Sequence, residues 1–234
     1  MQIFEIFRSI QGETSRVGVP MWFIRLAGCD LACSYCDTAA ARDPAAGRRM
    51  TVAEVLAAVD APALPWAAIT GGEPMLQTAD VNALIAALVD PQDAAWRPPG
   101  AGGPGDPPRG APALLPPRRV LVETSGAHPV DALDPRAVRI IDWKTPGSGM
   151  AGRMCRRNLD LARSEDEVKF VLTGRPDYQW AREVVAREGL ASRTTVLFGA
   201  AAPQLQPRQL AEWIMADGLP VRLNLQVHKF LGLR

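Results

Sequence analysis

The residues that could do chemistry are concentrated in one short run, Gly28-Cys29-Asp30-Leu31-Ala32-Cys33-Ser34-Tyr35-Cys36-Asp37-Thr38, which holds three of the four cysteines at C-x3-C-x2-C spacing. Three thiolates on one loop can each bind an iron of a [4Fe–4S] cube, for which cysteine is the usual ligand. Three cysteines leave one iron of such a cube open to a substrate or cofactor, whereas a purely electron-transferring cluster takes four. A structural zinc site would need a fourth ligand from Cys155, His128 or His228, and none of these stands in a paired C-x2-C or H-x3-H arrangement. A disulfide is the weaker reading, because cytosolic thiols stay reduced and nothing at the N-terminus has the basic and then apolar regions of a secretion signal. The expected compartment is therefore the cytoplasm.

The chain has 234 residues, 47% of them apolar and 22% charged, enough to bury a sizeable core. The net charge of +1 gives no bias towards nucleic acid or a membrane surface, and no apolar run approaches a membrane span. Short apolar runs alternate with amphipathic stretches, a pattern that predicts βα units and a mostly parallel sheet. Strands are expected at 21–26, 66–70, 119–123, 138–142, 168–172, 195–198 and 221–227. Thr51-Val52-Ala53-Glu54 reads as a capping box opening a helix with Val52, Val55, Leu56 and Val59 on one face. A second helix, capped by Thr78 or Asp80, runs through Leu84, Ile85, Leu88 and Val89, and two more are expected near 177–187 and 207–216. About six such units suggest a single domain, α/β in class, built as an incomplete (β/α)6 TIM-like barrel with its chemistry at the carboxyl ends of the strands. The cysteine loop, Gly71-Gly72-Glu73-Pro74, Glu123-Thr124-Ser125-Gly126 and Asp142-Trp143-Lys144 each directly follow an expected strand. Residues 90–117 interrupt this rhythm with nine of the 21 prolines and several glycines. That composition cannot bury enough surface to offset its ordering entropy, so the segment is expected to be a mobile insertion.

C-x3-C-x-aromatic-C followed by Gly-Gly-Glu-Pro after the next strand resembles the radical S-adenosylmethionine (SAM) enzymes. More narrowly, the chain resembles the 7-carboxy-7-deazaguanine synthase family of the queuosine pathway. The resemblance runs through Ser9-Ile10-Gln11-Gly12-Glu13, Phe23-Ile24-Arg25-Leu26, Cys36-Asp37-Thr38, Thr70-Gly71-Gly72-Glu73-Pro74, Glu123-Thr124-Ser125-Gly126, Asp142-Trp143-Lys144, Ser148-Gly149-Met150, Val168-Lys169-Phe170-Val171 and Gln226-Val227-His228-Lys229. It implies that SAM chelates the open iron and that one electron cleaves it to a 5′-deoxyadenosyl radical. The radical then abstracts hydrogen from 6-carboxy-5,6,7,8-tetrahydropterin, which contracts its ring and loses ammonia. Mg2+, a homodimer and a flavodoxin electron donor are implied as well.

The resemblance also assigns residues. Cys29, Cys33 and Cys36 would hold the cluster, and Thr38 would offer its hydroxyl to Mg2+ or serve as a helix N-cap. Tyr35, Gly71, Gly72, Glu73, Glu123, Thr124, Ser125, Asp142, Lys144, Ser148 and Lys169 are expected around SAM, with ordinary packing the alternative for Tyr35 and a structural ion pair for Lys169. Ile10, Gln11, Gly12, Glu13, Arg25, Thr70, His228 and the terminal carboxylate on Arg234 are expected to face the pterin. Arg25 would pair bidentately with the 6-carboxylate, a planar match that lysine lacks. Thr14 stands where the family often has glycine, and Cys155 has no evident partner. A glycyl-radical-enzyme activase shares the cysteine spacing but acts on a protein, and the Gln11-Gly12-Glu13, Thr38 and His228-Lys229 set argues against it. A zinc-stabilised binding module remains the rival from another class.

Overall fold

The computed structural model describes residues 1–59, 64–89 and 119–234. The expected insertion at 90–117 lies outside the described residues. Among the described residues nine strands form one sheet: β1 (Gln2–Ile10), β2 (Pro20–Leu26), β3 (Arg48–Arg49), β4 (Trp66–Thr70), β5 (Arg119–Thr124), β6 (Val138–Asp142), β7 (Glu167–Leu172), β8 (Thr195–Ala200) and β9 (Arg222–Asn224). Their order is β3-β1-β2-β4-β5-β6-β7-β8-β9. From β2 to β9 every neighbouring pair is parallel, while β1 runs antiparallel to both β2 and β3. The helices are α1 (Val52–Ala58), α2 (Thr78–Leu88), α3 (Arg157–Asp160), α4 (Arg175–Arg187), α5 (Pro207–Asp217) and α6 (Val227–Phe230).

The period of two along each strand divides the sheet into two chemically different faces. On one face Ile24, Leu26, Ile69, Val120 and Val122 pack against Val55 of α1 and Val81, Leu84 and Ile85 of α2. Further along the same face Val168, Phe170, Leu172 and Phe198 pack against Tyr178, Ala181 and Val184 of α4 and Leu210 of α5. Each such aliphatic side chain, fully buried, contributes about 1.5–3 kcal/mol. The opposite face begins apolar, with Met21, Ala68, Leu121 and Ile140. Two residues further along the same strands it turns polar, presenting Thr70, Glu123 and Asp142, with Arg25 on β2 and Lys169 on β7. The sheet thus carries a greasy floor and a polar rim on one face, the rim at the carboxyl ends.

The capping box forms as expected: Thr51 Oγ1 accepts from Glu54 N, and the Glu54 carboxylate accepts from Thr51 N at 2.7 Å. Three expectations need correction. Neither Thr78 nor Asp80 caps α2; Gln77 stands at the cap, and the Thr78 hydroxyl donates to Met75 O instead. The last strand is only Arg222–Asn224, paired with Leu197–Gly199 of β8, and residues 227–230 turn into α6. β1 was absent from the expected strands: its polar Glu5, Arg8 and Ser9 interrupt the alternation that marks a half-buried strand.

Candidate active site

The polar rim and the loops above it enclose one cavity of about 340 Å3, within the size range that holds small ligands. Cys29, Cys33 and Cys36 all line it, each as a free, partly buried thiol. Burial pushes the Cys29 and Cys33 thiols above their ordinary range, so a thiolate-stabilising cation in the cavity would be needed to ionise them. The loop that carries them is tied down on both flanks. Gly28 N donates to Ala41 O and Cys29 N to Arg42 O at 2.8 and 3.0 Å, and Cys36 N donates to Cys33 O. Asp30 is gripped by Arg153 at 2.8 Å and by His128 at 3.2 Å.

The Gly-Gly-Glu-Pro turn after β4 closes on the start of this loop. Glu73 N donates to Gly28 O at 2.7 Å. Gly72, at φ +30°, lies so close that a Cβ there would stand 2.2 Å from Gly28 O. Only glycine allows this approach of two backbones. Glu73 does not line the cavity. Its fully buried carboxylate accepts from Met75 N, Thr124 Oγ1 and Ser125 N, at 2.9, 2.8 and 2.7 Å, and so fastens the turn after β4 to the turn after β5. Ser148 is likewise outside the lining; its hydroxyl donates to Thr145 O and accepts from Met150 N within its own turn. Gly71, Gly72, Thr124 and Ser125 do reach the cavity.

Charge is concentrated on the rim. Lys169, 4% exposed, meets Glu13 at 3.1 Å, Asp142 at 3.5 Å and Glu123 directly. Burial alone would lower this ammonium's pKa, but the three carboxylates outweigh it and hold the pKa well above the ordinary value. Burial would raise Glu13, and Lys169 with the amides of Gln226 and Asn224 brings it below the usual carboxylate range. Lys144 pairs with Asp142 at 2.9 Å and lies 5.8 Å from the Tyr35 ring centre, so it stays protonated despite its burial. Asp142 keeps a second oxygen, Oδ1, that is buried and has no hydrogen-bond partner among the described residues. Both alternatives for Lys169 therefore coexist: it is an ion-pair hub and it lines the cavity.

The pterin-side expectations also converge here. Ile10, Gln11, Gly12, Glu13, Arg25, Thr70, His228 and Arg234 all line the cavity. Arg25 Nε pairs with Glu5 at 2.9 Å, and its NH1 reaches the Thr38 hydroxyl at 3.3 Å. His228 packs so closely on Gly12 that a Cβ at residue 12 would fall 1.8 Å from its Nδ1. Burial lowers the His228 pKa below 6.5. The terminal residue folds back over β1, where Ser9 Oγ donates to Arg234 O at 2.6 Å. Thr14 has φ +66°, a left-handed backbone that explains why glycine suits this position; Asn224 Oδ1 accepts its N–H at 2.8 Å and helps hold it there. The lining also includes Phe7, Phe23, Asp37, Asn224, Gln226 and Lys229, which the sequence reading did not assign. Asp37 and Gln226 sit inside motifs already singled out, so adjacency was their available signal; Phe7 and Asn224 had none.

The donors suit an iron–sulfur cluster: three thiols on one wall of a cavity whose neighbouring turn leaves no room for a side chain. Among the described residues no three His, Cys, Asp or Glu side chains, the three loop cysteines included, are drawn together closely enough to form a ready-made ligand set for a single metal ion. A mostly parallel α/β sheet with three thiols at the carboxyl ends of its strands fits an iron–sulfur enzyme of the radical SAM class, and residues 10–93 match the family described as a 4Fe-4S single cluster domain. Named relatives narrow this. A 7-carboxy-7-deazaguanine synthase from Chlorobaculum tepidum is 40% identical over 99% of this chain and 94% of its own length. One from Koribacter versatilis is 36% identical over 99% and 96%. The crystal structure of QueE from Escherichia coli superposes with a TM-score of 0.67 over 97% of this chain and 94% of that one, at 20% identity, which speaks to the shared fold. The chain belongs to the 7-carboxy-7-deazaguanine synthase family.

Proposed function

We propose that this chain converts 6-carboxy-5,6,7,8-tetrahydropterin to 7-carboxy-7-deazaguanine with loss of ammonia, the activity its family is named for, as a step of queuosine-precursor biosynthesis. The observation that carries the reading is that the three cluster thiols, the glycine turn and the Gln11–Glu13, Arg25 and His228 set line one and the same cavity. The bound cluster and SAM supply one-electron cleavage and hydrogen abstraction, and the protein supplies orientation and exclusion of competing reactions.

Cys29, Cys33 and Cys36 would hold the cluster. Gly71 and Gly72 would offer bare backbone to the amino and carboxylate ends of SAM, Tyr35 would lie against its adenine, and Glu123, Thr124 and Ser125 would meet its ribose or methionine part; all six line the cavity. Glu73 serves as the brace that sets Thr124 and Ser125 in register. On the substrate side Arg25 would exchange its Thr38 contact for the pterin carboxylate, with Glu5 fixing its Nε. Lys169 pairs with both Glu13 and Glu123 on the cavity wall and helps hold Glu13 below the usual carboxylate range, so the Glu13 carboxylate is ready to accept N–H donors. His228, neutral near pH 7 because burial disfavours its charge, can act as donor and acceptor together. The Thr38 hydroxyl, beside the Asp37 carboxylate at 3.1 Å, is an oxygen site of the kind a Mg2+ that keeps most of its waters would use.

The incomplete (β/α)6 barrel and the single domain belong to the same reading. Supporting them, the loop after β1 bonds to the far end of the sheet: Glu13 Oε2 accepts from Asn224 Nδ2 at 3.1 Å and Gly12 O from Val227 N at 2.9 Å. A flat sheet of nine strands would hold those residues far apart. A homodimer, a flavodoxin donor and a cytoplasmic location accompany the family reading. No helix among the described residues is long and apolar enough to cross a membrane.

The test is an anaerobic assay of reconstituted protein with SAM, reductant, Mg2+ and the tetrahydropterin, read by mass spectrometry. Appearance of 7-carboxy-7-deazaguanine is expected. Formation of 5′-deoxyadenosine alone would leave the radical machinery standing and overturn the substrate, and neither product from cluster-loaded protein would overturn the reading itself.

A further inference from the structure

We propose that Asp177, which lies outside the cavity, is a positioning residue for the cluster loop, acting through the turn at 145–148 and the side chain of Ser34. The chain of contacts begins at the first turn of α4, where Pro176 and Asp177 follow Gly174 in a helix-opening pattern. Asp177 is 3% exposed, and four donors converge on its carboxylate. Thr173 N and Thr173 Oγ1 reach Oδ2 at 2.9 and 2.8 Å, and Thr145 Oγ1 reaches it at 3.0 Å, sharing its one proton with Val171 O at the same distance. Gly147 N donates to Oδ1 at 2.8 Å. Two of the four donors come from the turn after β6, which is thereby pinned to the helix after β7.

That turn has one outward task. Its carbonyls at Gly147 and Ser148 accept from Ser34, the first from Oγ at 2.8 Å and the second from the backbone N at 3.1 Å. Ser34 sits between Cys33 and Cys36, so the turn fixes the chain where the last two thiols diverge. The packing leaves little slack: a Cβ on Gly147 would fall 2.1 Å from Thr173 Oγ1 and 2.4 Å from Asp177 Oδ2. A carboxylate accepting three hydrogen bonds and a share of a fourth is a rigid anchor, because charged acceptors bind about twice as strongly as neutral ones. Ligands held by a supporting shell bind metal more tightly than unsupported ones. The inference rests on the cluster part of the proposed function and is indifferent to the substrate.

The experiment measures how fast the reconstituted, anaerobic holoprotein gives up iron to an excess of a colorimetric ferrous chelator. Ser34→Ala removes one exposed hydroxyl and one hydrogen bond, so it carries little folding risk, and release should quicken about fivefold for a bond of ordinary net strength. Asp177→Asn, which loses acceptor capacity but keeps its shape, should quicken release by a similar factor. The double variant should fall clearly short of the product of the two, because both changes act along one chain of contacts. Ser34→Thr, which keeps the hydroxyl, should restore the wild-type rate. Unfolding midpoints of the apoproteins are measured alongside. Unchanged release in Ser34→Ala, full multiplication in the double variant, or an Asp177→Asn that lowers only the apoprotein midpoint would each overturn the proposal. Wild-type iron content reports separately on the cluster reading.

Discussion

Replacing Lys169 by methionine keeps most of the side-chain length and removes the one cation shared by three carboxylates. Glu13 would be left with the neutral amides of Asn224 and Gln226, at 3.1 and 2.8 Å. Glu123 would keep Thr70 Oγ1 at 3.3 Å, and Asp142 would keep Lys144 at 2.9 Å. Unit charges about 4 Å apart at an effective dielectric of about 20 interact by about 4 kcal/mol. Removing one partner of a buried pair costs about 3–5 kcal/mol, since the orphaned charge stays buried. The variant should therefore lose about 3–5 kcal/mol at pH 7. The dependence on pH gives a sharper signature. In the native protein the Glu13 pKa is depressed below 4.5, so its contribution is present above that value and is lost as the pH falls through the depressed pKa. The Lys169 pKa is raised above 10.5, so its contribution is present below 10.5 and is lost only as the pH rises through the raised value. Between these limits the native cluster is level. Without the cation, burial, the largest influence on Glu13, is opposed only by the Gln226 and Asn224 amides, so its pKa rises above the native value and the deficit should narrow on going from pH 7 to pH 5, by about 1.4 kcal/mol for each pK unit of elevation that falls between those two pH values. Urea unfolding of the reduced apoprotein at both pH values is the assay. A deficit at pH 7 under about 1 kcal/mol, or one that widens at pH 5, would refute the reasoning.

Gly12→Ala should expel His228, whose Nδ1 would lie 1.8 Å from the new Cβ; a rise of tenfold or more in the pterin KM with unchanged iron content is expected from steady-state assays. Gly72→Ala forces a Cβ against the Gly28 carbonyl just before Cys29, so it should cost about 1–3 kcal/mol in denaturant unfolding and lower the iron taken up on reconstitution. Arg25→Lys should raise the pterin KM about tenfold or more, for loss of a charge-assisted bidentate pair, and leave SAM binding, followed by equilibrium dialysis, unchanged. Cys33→Ala should abolish the cluster and all SAM cleavage; iron retained at the wild-type stoichiometry would remove Cys33 from the ligand set.

Much of this protein could be read locally. The cysteine spacing puts three possible cluster ligands within eight residues, so no tertiary information was needed to infer a cluster with one open iron. The capping box of α1 and the strands at 66–70 and 138–142 were legible because each depends on neighbours a few residues away. Recurring motifs placed most of the cavity wall. Where local pattern failed, the cause was a distant partner. β1 alternates poorly because it lies between β2 and the two-residue β3, and β9 is a three-residue strand whose extent is set by its pairing with Leu197–Gly199 of β8.

Only the tertiary structure decided how the site is held. Glu73 and Ser148 stand in motifs of the SAM side, yet their side chains brace turns instead of facing the cavity. Lys169 joins Glu13 across 156 residues and Glu123 across 46, while Asp177 reaches Gly147 across 30 and Ser34 meets Gly147 across 113. A sequence records which residues can ligate, pair or turn, because those are properties of single side chains and short spacings. Which carboxylate meets which ammonium depends on strand order and sheet curvature, and these emerge only when the apolar face of every strand is buried at once.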